Sequence, residues 1–315
     1  MVEVHSYPES WPLKTSFVIS RGARTQADVV VVEYSSGGIT GIGECTPYAR
    51  YGESVESVMS EIRALVPALE QGLTRAGLQT AAPAGAARNA IDCAMADWNS
   101  KQNGAGPPFS MSLPTVQTLV IGSPEAMAEA AVVAVGRGVT VLKLKLDREL
   151  VLQRVEAVRA AAPSAELVID ANEAWRGEGL PKLCDALAER GVAMLEQPLP
   201  AAEDELLSRF AHPLPICADE SCHTRKDLPR LRGRYDMLNI KLDKTGGLTE
   251  ALALAEEGRR MGFELMLGCM LCTSRAVRAA WPLGDWARFV DLDGPTWLAR
   301  DVEPLRFDGG RVYWT

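Results

Sequence analysis

From Thr115 onward, short apolar segments alternate with amphipathic ones, and this alternation restricts the possible folds more than any other feature of the 315-residue chain. TVQTLVIG, VTVLKLKL and AELVIDAN have the length and β-branched content of buried strands, whereas RELVLQRVEAVRAAA and TEALALAEEGRRMG have helical spacing. Eight such strands can be read up to ARFVDLDG. Strand–helix alternation predicts parallel βαβ units, and eight units favour a TIM-type barrel over an open doubly wound sheet.

One of these strands, within TVLKLKLD, carries two lysines among apolar residues. Lys143 and Lys145 are two positions apart, so on a strand their side chains point to the same side. On an edge strand such lysines could extend their ammonium groups into water. We favour a location inside the barrel, because charged residues also end the neighbouring strands.

Charged residues stand at the ends of most of the predicted barrel strands. They are Lys145, Asp170, Glu196, Asp219, Lys241 and Asp291. In a barrel, the C-terminal strand ends surround one mouth, where catalytic groups are found. The three successive acids repel one another unless a cation lies between them, and an all-oxygen ligand set suits Mg²⁺. Three unrelated carboxylates that cap helices would not explain the regular spacing.

Two of the lysines are candidate bases. Lys145 and Lys241 come from strands on either side of the three acid strands, so we expect them to face each other across the mouth. Lysine can act as a base when burial and a nearby positive charge lower its pKa. Lys143 would supply one such charge beside Lys145.

The first hundred or so residues predict a separate α+β domain. ADVVVVEY is typical of a strand, and SVESVMSEIRALVPALEQ and the alanine-rich AGAARNAIDCAMADWNSKQ are typical of helices. Glycine and proline cluster in NGAGPPFSMSLP, which indicates a boundary. We therefore divide the chain into an N-terminal domain (1–114), a barrel (115–294) and a C-terminal tail (295–315) that we expect to pack back on the N-terminal domain.

Composition excludes several classes of protein. Lys and Arg number 33 against 41 Asp and Glu, which is not the footprint of a nucleic-acid-binding protein. The N-terminus lacks the pattern of a secretory signal, and no apolar run is long enough to cross a bilayer. The odd number of scattered cysteines, seven, predicts reduced thiols in a cytoplasm. CMLC and the Cys222–His223 pair lack the matched partner motif of a zinc or redox site.

The motifs KLK, DAN, LEQP, ADES and IKL, in this order, resemble the enolase superfamily and its muconate-lactonizing subgroup. The resemblance covers nearly the whole chain. It implies an α/β fold, a modified (β/α)₇β TIM barrel with an N-terminal α+β capping domain whose loops in the 20s and 50s of the sequence set specificity. It also implies that Asp170, Glu196 and Asp219 bind one Mg²⁺, which holds a substrate carboxylate, and that Lys145 and Lys241 remove and return the α-proton.

Members of this subgroup share the acids and lysines, so other residues must distinguish them. DLDGP at 291–295 resembles the Asp-x-Asp of dipeptide epimerases, in which Asp291 and Asp293 would hold a free α-ammonium; a simple Asp-Gly-Pro turn is the alternative. In epimerases that act on alanyl-glutamate, a capping-domain arginine lies near the substrate side-chain carboxylate. Arg24 of RGARTQ is our choice for it and Arg21 the second choice, since an arginine fork suits a carboxylate. A solvated loop arginine is the alternative.

The resemblance implies roles for further residues around the mouth. Lys143 would help to neutralise the substrate α-carboxylate, Asn172 and Glu220 would support the metal ligands, and Cys269 and Met270 would line the dipeptide pocket.

The activity implied is Mg²⁺-dependent 1,1-proton transfer at the glutamate α-carbon of L-Ala-D/L-Glu, in the degradation of murein peptides. An N-acylamino-acid racemase, an epimerase of other dipeptides and a non-catalytic, metal-stabilised binding protein remain alternatives. The expected partner is a small dipeptide, with no nucleic acid and no membrane, and a homo-oligomer is left open.

Overall fold

The computed structural model describes residues 1–105, 108 and 110–315 of the chain. The predicted boundary segment NGAGPPFSMSLP therefore lies partly outside the described residues. The strands of the described part are β1 Glu3–Ile19, β2 Gly22–Ser36, β3 Ile39–Cys45, β4 Ser112–Pro114, β5 Gln117–Leu119, β6 Val141–Lys145, β7 Glu166–Asp170, β8 Val192–Glu196, β9 Ile216–Ala218, β10 Met237–Ile240, β11 Glu264–Gly268, β12 Phe289–Asp291, β13 Arg306–Asp308 and β14 Arg311–Tyr313. The α-helices are α1 Val55–Glu70, α2 Arg75–Ala81, α3 Ala86–Gln102, α4 Pro124–Gly136, α5 Val151–Ala161, α6 Leu180–Glu189, α7 Leu228–Leu231, α8 Leu242–Thr245, α9 Leu248–Arg260 and α10 Ser274–Ala280.

The N-terminal part, here called the cap, is an antiparallel sheet in the order β1-β2-β3 covered by α1, α2 and α3. The apolar run of β2 is buried against these helices. Helix α3 lies directly on β3 because that strand has glycines where it crosses: a Cβ atom on Gly41 would lie 2.1 Å from Ala94 O, and one on Gly43 would lie 2.0 Å from Ala90 O. The glycines of GITGIG thus serve helix–sheet packing.

The second part is the predicted barrel. Eight parallel strands of the described chain follow one another in sequence order from β5 to β12. The first and last approach each other where Val116 N donates to Val290 O at 2.8 Å. The predicted TIM-type architecture with an N-terminal α+β cap is confirmed.

The barrel interior is built in layers, because alternate residues of a strand face inward. The lower layer is an apolar cluster separate from the core between strands and helices; it consists of Val168, Met194, Cys217, Met237, Met266 and Phe289. Two residues further along each of these strands, the inward positions form a second layer: Asp170, Glu196, Asp219, Asn239, Gly268 and Asp291. The polar layer therefore rests on an apolar floor, at the C-terminal strand ends.

The C-terminal tail contacts both parts of the molecule. Strand β14 pairs with β4 and β13, and Val312 joins the main barrel core. Nearer the cap, Leu298 forms an antiparallel bridge with Leu13, and Ala299 N donates to Pro12 O at 2.8 Å. The expected residue ranges of the three domains stay a prediction.

The cap and the barrel meet across a buried polar seam. Glu44 of β3 accepts hydrogen bonds from Thr273 N (2.8 Å) and Thr273 Oγ1 (2.5 Å). Asp243 of α8 accepts one from Thr46 N and one from Asn89 Nδ2, both at 2.9 Å. Each buried carboxylate therefore has donors from the opposite part, so the seam fixes how the cap sits over the mouth.

Two further observations bear on the protein class. In the part of the chain that the structure describes, no helix combines the length and the apolar content needed to cross a bilayer. The cysteines among these residues are free thiols, and all but Cys269 are buried.

Candidate active site

The predicted strand-end residues come together at one mouth. Lys145, Asp170 and Glu196 are the last residues of β6, β7 and β8, and they are register neighbours. Asp219 and Lys241 directly follow β9 and β10, and the last residue of β12 is Asp291. Since parallel strands of a barrel end at the same side, these groups form one ring.

Lys143 lies at the centre of this ring and is fully buried. Its Nζ is 2.7 Å from Glu196 Oε2, 2.7 Å from Asp291 Oδ2 and 3.1 Å from Asp170 Oδ2. Burial by itself would lower the pKa of Lys143, but these three carboxylates outweigh it and raise the pKa well above its ordinary value. The lysine pair of TVLKLKLD thus lies inside the barrel, with Lys143 as an internal cation.

Lys145 and Lys241 reach the same cavity from different sides of the ring. Lys145 Nζ donates to Asp170 Oδ2 at 2.5 Å, and Lys241 Nζ donates to Asp219 Oδ2 at 2.8 Å. Burial by itself would lower the pKa of Lys241, but Asp219 and Glu196 more than offset burial and raise it. The cause is direct contact with a carboxylate, which the sequence does not reveal.

The three acids proposed as metal ligands differ in their environment. Burial favours the neutral acid in each, but Lys145 and Lys143 lower the pKa of Asp170, and lysine contacts keep the pKa of Asp219 well below its usual range. Burial and the neighbouring Asp170 raise the pKa of Glu196. Among the described residues, no three His, Cys, Asp or Glu side chains are arranged as a ready-made metal site.

The chemistry of the donor set nevertheless fits a hard divalent cation. All three side chains are buried carboxylates, and Glu196 Oε2 has no hydrogen-bond donor in the described part of the chain, although Lys143 Nζ is close. Buried anionic oxygens are costly unless a cation lies among them. In this structure the lysine ammonium groups hold that position, so a bound cation would require them to shift.

Sequence reasoning missed three residues of the ring. Asn239 Nδ2 donates to Glu196 Oε1 at 2.7 Å. Lys244 is buried and its Nζ donates to Asp219 Oδ1 (2.6 Å) and to Asn239 O (2.9 Å). Gly268 leaves the space that Lys241 uses, since a Cβ there would lie 2.9 Å from Lys241 Cε. Counting back two residues from Lys241 would have found Asn239.

Asn172 and Glu220, predicted to support the proposed metal ligands, lie directly beside the ring. Asn172 N donates to Asp170 Oδ1 at 2.8 Å, from a left-handed backbone with φ of 45°. Glu220 is buried next to Asp219, and burial together with Asp219 raises its pKa to about 7, although Arg21 opposes this shift. Both residues line the cavity.

The cavity wall formed by β11 and β12, the seventh and eighth strands of the barrel, carries the remaining predicted residues. Cys269 and Met270 follow β11 and line the cavity together with Asp291 and Asp293. Asp293 Oδ2 accepts a hydrogen bond from Thr118 N at 2.7 Å, and burial followed by the Asp291 charge raises the pKa of Asp293 to about 6. Its backbone O also accepts from Thr296 N, so DLDGP forms a turn and still points a carboxylate inward.

The cap closes the cavity with Arg21 and Arg24, which have different partners. Arg21 Nη1 lies 2.7 Å from Glu220 Oε1, and its Nη2 donates to Tyr48 OH at 2.9 Å. Arg24 stacks its guanidinium on the Tyr48 ring, with the central carbon 4.9 Å from the ring centroid. Both arginines line the cavity, whereas Arg50 binds Glu173 outside it with two hydrogen bonds of 2.6 and 2.7 Å.

A capped barrel with carboxylates and lysines at its mouth is the architecture of an enolase-superfamily enzyme, and comparison with protein families agrees. The model of the mandelate racemase/muconate lactonizing enzyme N-terminal domain matches residues 1–108. The model described as enolase C-terminal domain-like matches residues 125–314. The chain therefore belongs to the mandelate racemase and muconate-lactonizing enzyme family of the enolase superfamily, as the motifs predicted.

Individual relatives are similar over most of their length. L-Ala-D/L-Glu epimerase of Escherichia coli (strain K12) is 58% identical over 320 residues, which cover 99% of this chain and 100% of the relative. N-acetyl-D-glutamate racemase of a Pseudoalteromonas species is 43% identical over 282 residues, 87% of this chain and 88% of the relative. The solved structure of dipeptide epimerase from Enterococcus faecalis V583, complexed with Mg and L-Leu-L-Tyr, is 29% identical, with a TM-score of 0.89 and coverage of 98% of this chain and 96% of that one.

Proposed function

We propose that this chain is a Mg²⁺-dependent isomerase that epimerises L-Ala-D/L-Glu at the glutamate α-carbon. One observation carries the proposal. Two lysines suited to proton transfer, Lys145 and Lys241, line the same cavity as an acidic pair suited to an ammonium group, Asp291 and Asp293. A dipeptide has both features that this cavity addresses: an acidic α-hydrogen beside a carboxylate and a free α-amine. The 58% identity to the Escherichia coli epimerase supports the same activity.

Asp170, Glu196 and Asp219 are the residues that would hold Mg²⁺. When bound, Mg²⁺ supplies positive charge at the substrate α-carboxylate, which makes the neighbouring α-hydrogen more acidic. Asn239 and Lys244 hold the side chains of Glu196 and Asp219 in place through hydrogen bonds. The Mg-bound structure of the Enterococcus faecalis relative supports the choice of metal.

The two lysines would carry the proton. Inversion at carbon needs one group to remove the α-proton on one face and another to deliver a proton on the opposite face. Lys145 and Lys241 stand on the second and the sixth barrel strand, so a substrate held over the acids lies between them. Either lysine must be neutral to accept a proton, which requires that its contact with Asp170 or Asp219 is released when substrate and cation bind.

Charge complementarity would fix the rest of the dipeptide. Lys143 lies where it can help to neutralise the negative charge that builds up on the α-carboxylate during proton removal. Asp291 and Asp293 would hold the α-ammonium of the alanine residue. Arg24 faces the cavity from the cap, without a carboxylate partner among the described residues, and would bind the glutamate side-chain carboxylate.

An N-acylglutamate racemase is the second candidate, because the Pseudoalteromonas relative at 43% identity is an N-acetyl-D-glutamate racemase. Such a substrate has the same α-carboxylate and side chain but no ammonium group. The buried acidic pair at the cavity wall favours the dipeptide, since Asp293 would face an uncharged acetyl group at a cost in free energy. The comparison of the two substrates therefore tests the role of the pair.

The test is proton exchange in D₂O with Mg²⁺, followed by ¹H NMR. Pure L-Ala-L-Glu should lose its glutamate α-proton signal and yield L-Ala-D-Glu, while the alanine α-proton persists. N-acetyl-L-glutamate should react much more slowly. Preference for the N-acetyl compound would overturn the proposed substrate, and exchange at full rate after complete removal of divalent cations would overturn the proposed metal.

Alanyl-glutamate is a unit of murein peptides, so we place the reaction in their breakdown, in the cytoplasm. The seven free thiols of the chain support a reducing compartment. The oligomeric state stays open.

A further inference from the structure

We infer that Tyr48 is a positioning residue that presents Arg24 to the substrate and separates the tasks of the two cap arginines. The inference deepens the proposed function and rests on it, because it explains how an acidic second residue would be selected. Tyr48 contacts both cap arginines. Its hydroxyl accepts a hydrogen bond from Arg21 Nη2, and its ring lies 4.9 Å from the central guanidinium carbon of Arg24, nearer than the 5.7 Å to that of Arg21.

The guanidinium of Arg21 already binds other groups of the protein. Besides its contacts with Glu220 and Tyr48, Arg21 Nη1 donates to Asn172 O at 3.0 Å. Its side chain is only 26% exposed. Release of these donors to a substrate would leave Glu220 buried without a counter-charge, so Arg21 serves to hold the cap loop onto the barrel.

The N–H groups of the Arg24 guanidinium are available to bind a substrate, as far as the described residues are concerned. In the described part of the chain, no carboxylate lies within ion-pair distance of it, and no hydrogen bond occupies its N–H groups. Its contact is the face of the Tyr48 ring. A guanidinium stacked on an aromatic face keeps its in-plane N–H groups available for a carboxylate, whereas an ion pair would consume them.

The Tyr48 ring is itself held firmly. Tyr48 N donates to Glu53 Oε2 at 3.0 Å, and the ring packs against Tyr51 at 5.3 Å between centroids. Tyr51 in turn meets the ring of His223 from the barrel at 4.6 Å. The platform under Arg24 is therefore anchored in both the cap and the barrel, which limits the loss of side-chain freedom when a carboxylate binds.

The test compares Tyr48→Leu, which removes the ring, with Tyr48→Phe, which removes only the hydroxyl. Substrates are L-Ala-L-Glu and the uncharged near-isostere L-Ala-L-Gln, with kcat and KM from NMR and Kd from calorimetry. Tyr48→Leu should raise KM and Kd for L-Ala-L-Glu by about 3- to 30-fold relative to L-Ala-L-Gln, with a smaller effect on kcat. The Glu/Gln ratio, defined as kcat/KM for L-Ala-L-Glu divided by kcat/KM for L-Ala-L-Gln, should therefore fall. Tyr48→Phe should keep the wild-type ratio between the substrates, because the ring remains.

Tyr7→Leu is the matched control, since the Tyr7 hydroxyl bonds Glu33 on the cap sheet and Tyr7 is not part of the cavity. Tyr48→Met provides a second ring-free variant if the leucine variant does not fold. In an Arg24→Ala background, Tyr48→Leu should have no further effect on the ratio of the two substrates.

The outcomes separate the inference from the proposed function. An unchanged Glu/Gln ratio in the ring-free variants, together with a reduced ratio in Arg24→Ala, overturns the role of Tyr48 and leaves the proposed function in place. An unchanged ratio in Arg24→Ala overturns Arg24 as the residue that binds the side-chain carboxylate, and the Tyr48 inference with it. A lower ratio in Tyr48→Leu that Tyr48→Phe does not share supports the inference.

Discussion

Glu44, the buried acid of the seam between cap and barrel, should make the stability of the protein depend on pH in a defined way. Burial raises the pKa of Glu44 to about 7, despite the opposing hydrogen bonds from Thr273. Its ordinary value is 4.5. Between these two values the folded protein keeps a proton that the unfolded chain has released, so the free energy of unfolding falls as the pH rises through this range.

The size of the effect follows from the shift. One pKa unit corresponds to about 1.4 kcal/mol, so the shift of Glu44 corresponds to a contribution of about 3 kcal/mol, present in full below pH 4.5 and lost above about pH 7. Glu44→Gln removes the titration and keeps the shape. The glutamine oxygen can accept from Thr273 N, and its amide can donate to Thr273 Oγ1. The variant should therefore gain about 2.5 kcal/mol relative to the wild type between pH 5 and pH 8.

The assay is urea unfolding at constant ionic strength, followed by circular dichroism at several pH values from 5 to 8, for the wild type and for Glu44→Gln. Glu156→Gln is the control, because the side chain of Glu156 is 54% exposed and its pairing with Arg190 should contribute no more than about 1 kcal/mol. A difference between Glu44→Gln and the wild type that stays constant over this pH range would refute the reasoning, since it would mean that Glu44 is ionised in the seam throughout.

Three further predictions concern the mouth of the barrel. Lys241→Ala should exchange the α-proton of L-Ala-L-Glu in D₂O without forming the D-epimer. Lys145→Ala should exchange the α-proton of L-Ala-D-Glu alone, without forming the L-epimer. A variant that exchanges both diastereomers equally, as measured by ¹H NMR, argues against two bases. Asp293→Asn should lower kcat/KM for L-Ala-L-Glu about tenfold or more, since the dipeptide carries the ammonium group, and should raise kcat/KM for N-acetyl-L-glutamate, since it removes a carboxylate that faces the acetyl group; equal losses in the two rate measurements would remove the ammonium role. Lys143→Met should lower the free energy of unfolding by about 3–5 kcal/mol in EDTA, because it leaves buried carboxylates without their shared cation, and Mg²⁺ should restore part of the loss in thermal denaturation; unchanged stability in EDTA would contradict this.

Much of the barrel and its mouth could be predicted from the sequence, because the relevant signals are local. Each strand is a short apolar run followed by a helix, and inward positions recur every second residue. For this reason Asp170, Glu196 and Asp219 could be aligned at strand ends without knowledge of the fold. The same period of two places Lys143 and Lys145 on one face of β6.

Strand β1 shows where local signals fail. This strand, Glu3–Ile19, contains Pro8 and Pro12, which argue against a strand when the sequence is read alone. It is nevertheless the edge strand of the cap sheet, with a register shift between Pro12 and Phe17, so the missing N–H donors are tolerated. Whether a strand lies at an edge depends on the order of strands in the sheet, which no short window of sequence contains.

The sequence by itself determined which chemical groups the protein brings to the mouth: three acids, two candidate bases and an acidic pair, at spacings set by strand and helix lengths. The tertiary structure alone decided the charge state of such groups and their availability to a substrate. The pKa of Lys241 is raised because Asp219, 22 residues away, lies 2.8 Å from it. Arg21 is held by Glu220, some 200 residues further along, whereas Arg24 has no carboxylate partner in the described part of the chain. Charge state and availability depend on distances of a few ångströms between residues far apart in the chain. Those distances exist only once the barrel has formed and, for Arg21 and Glu220, once the cap has closed over it.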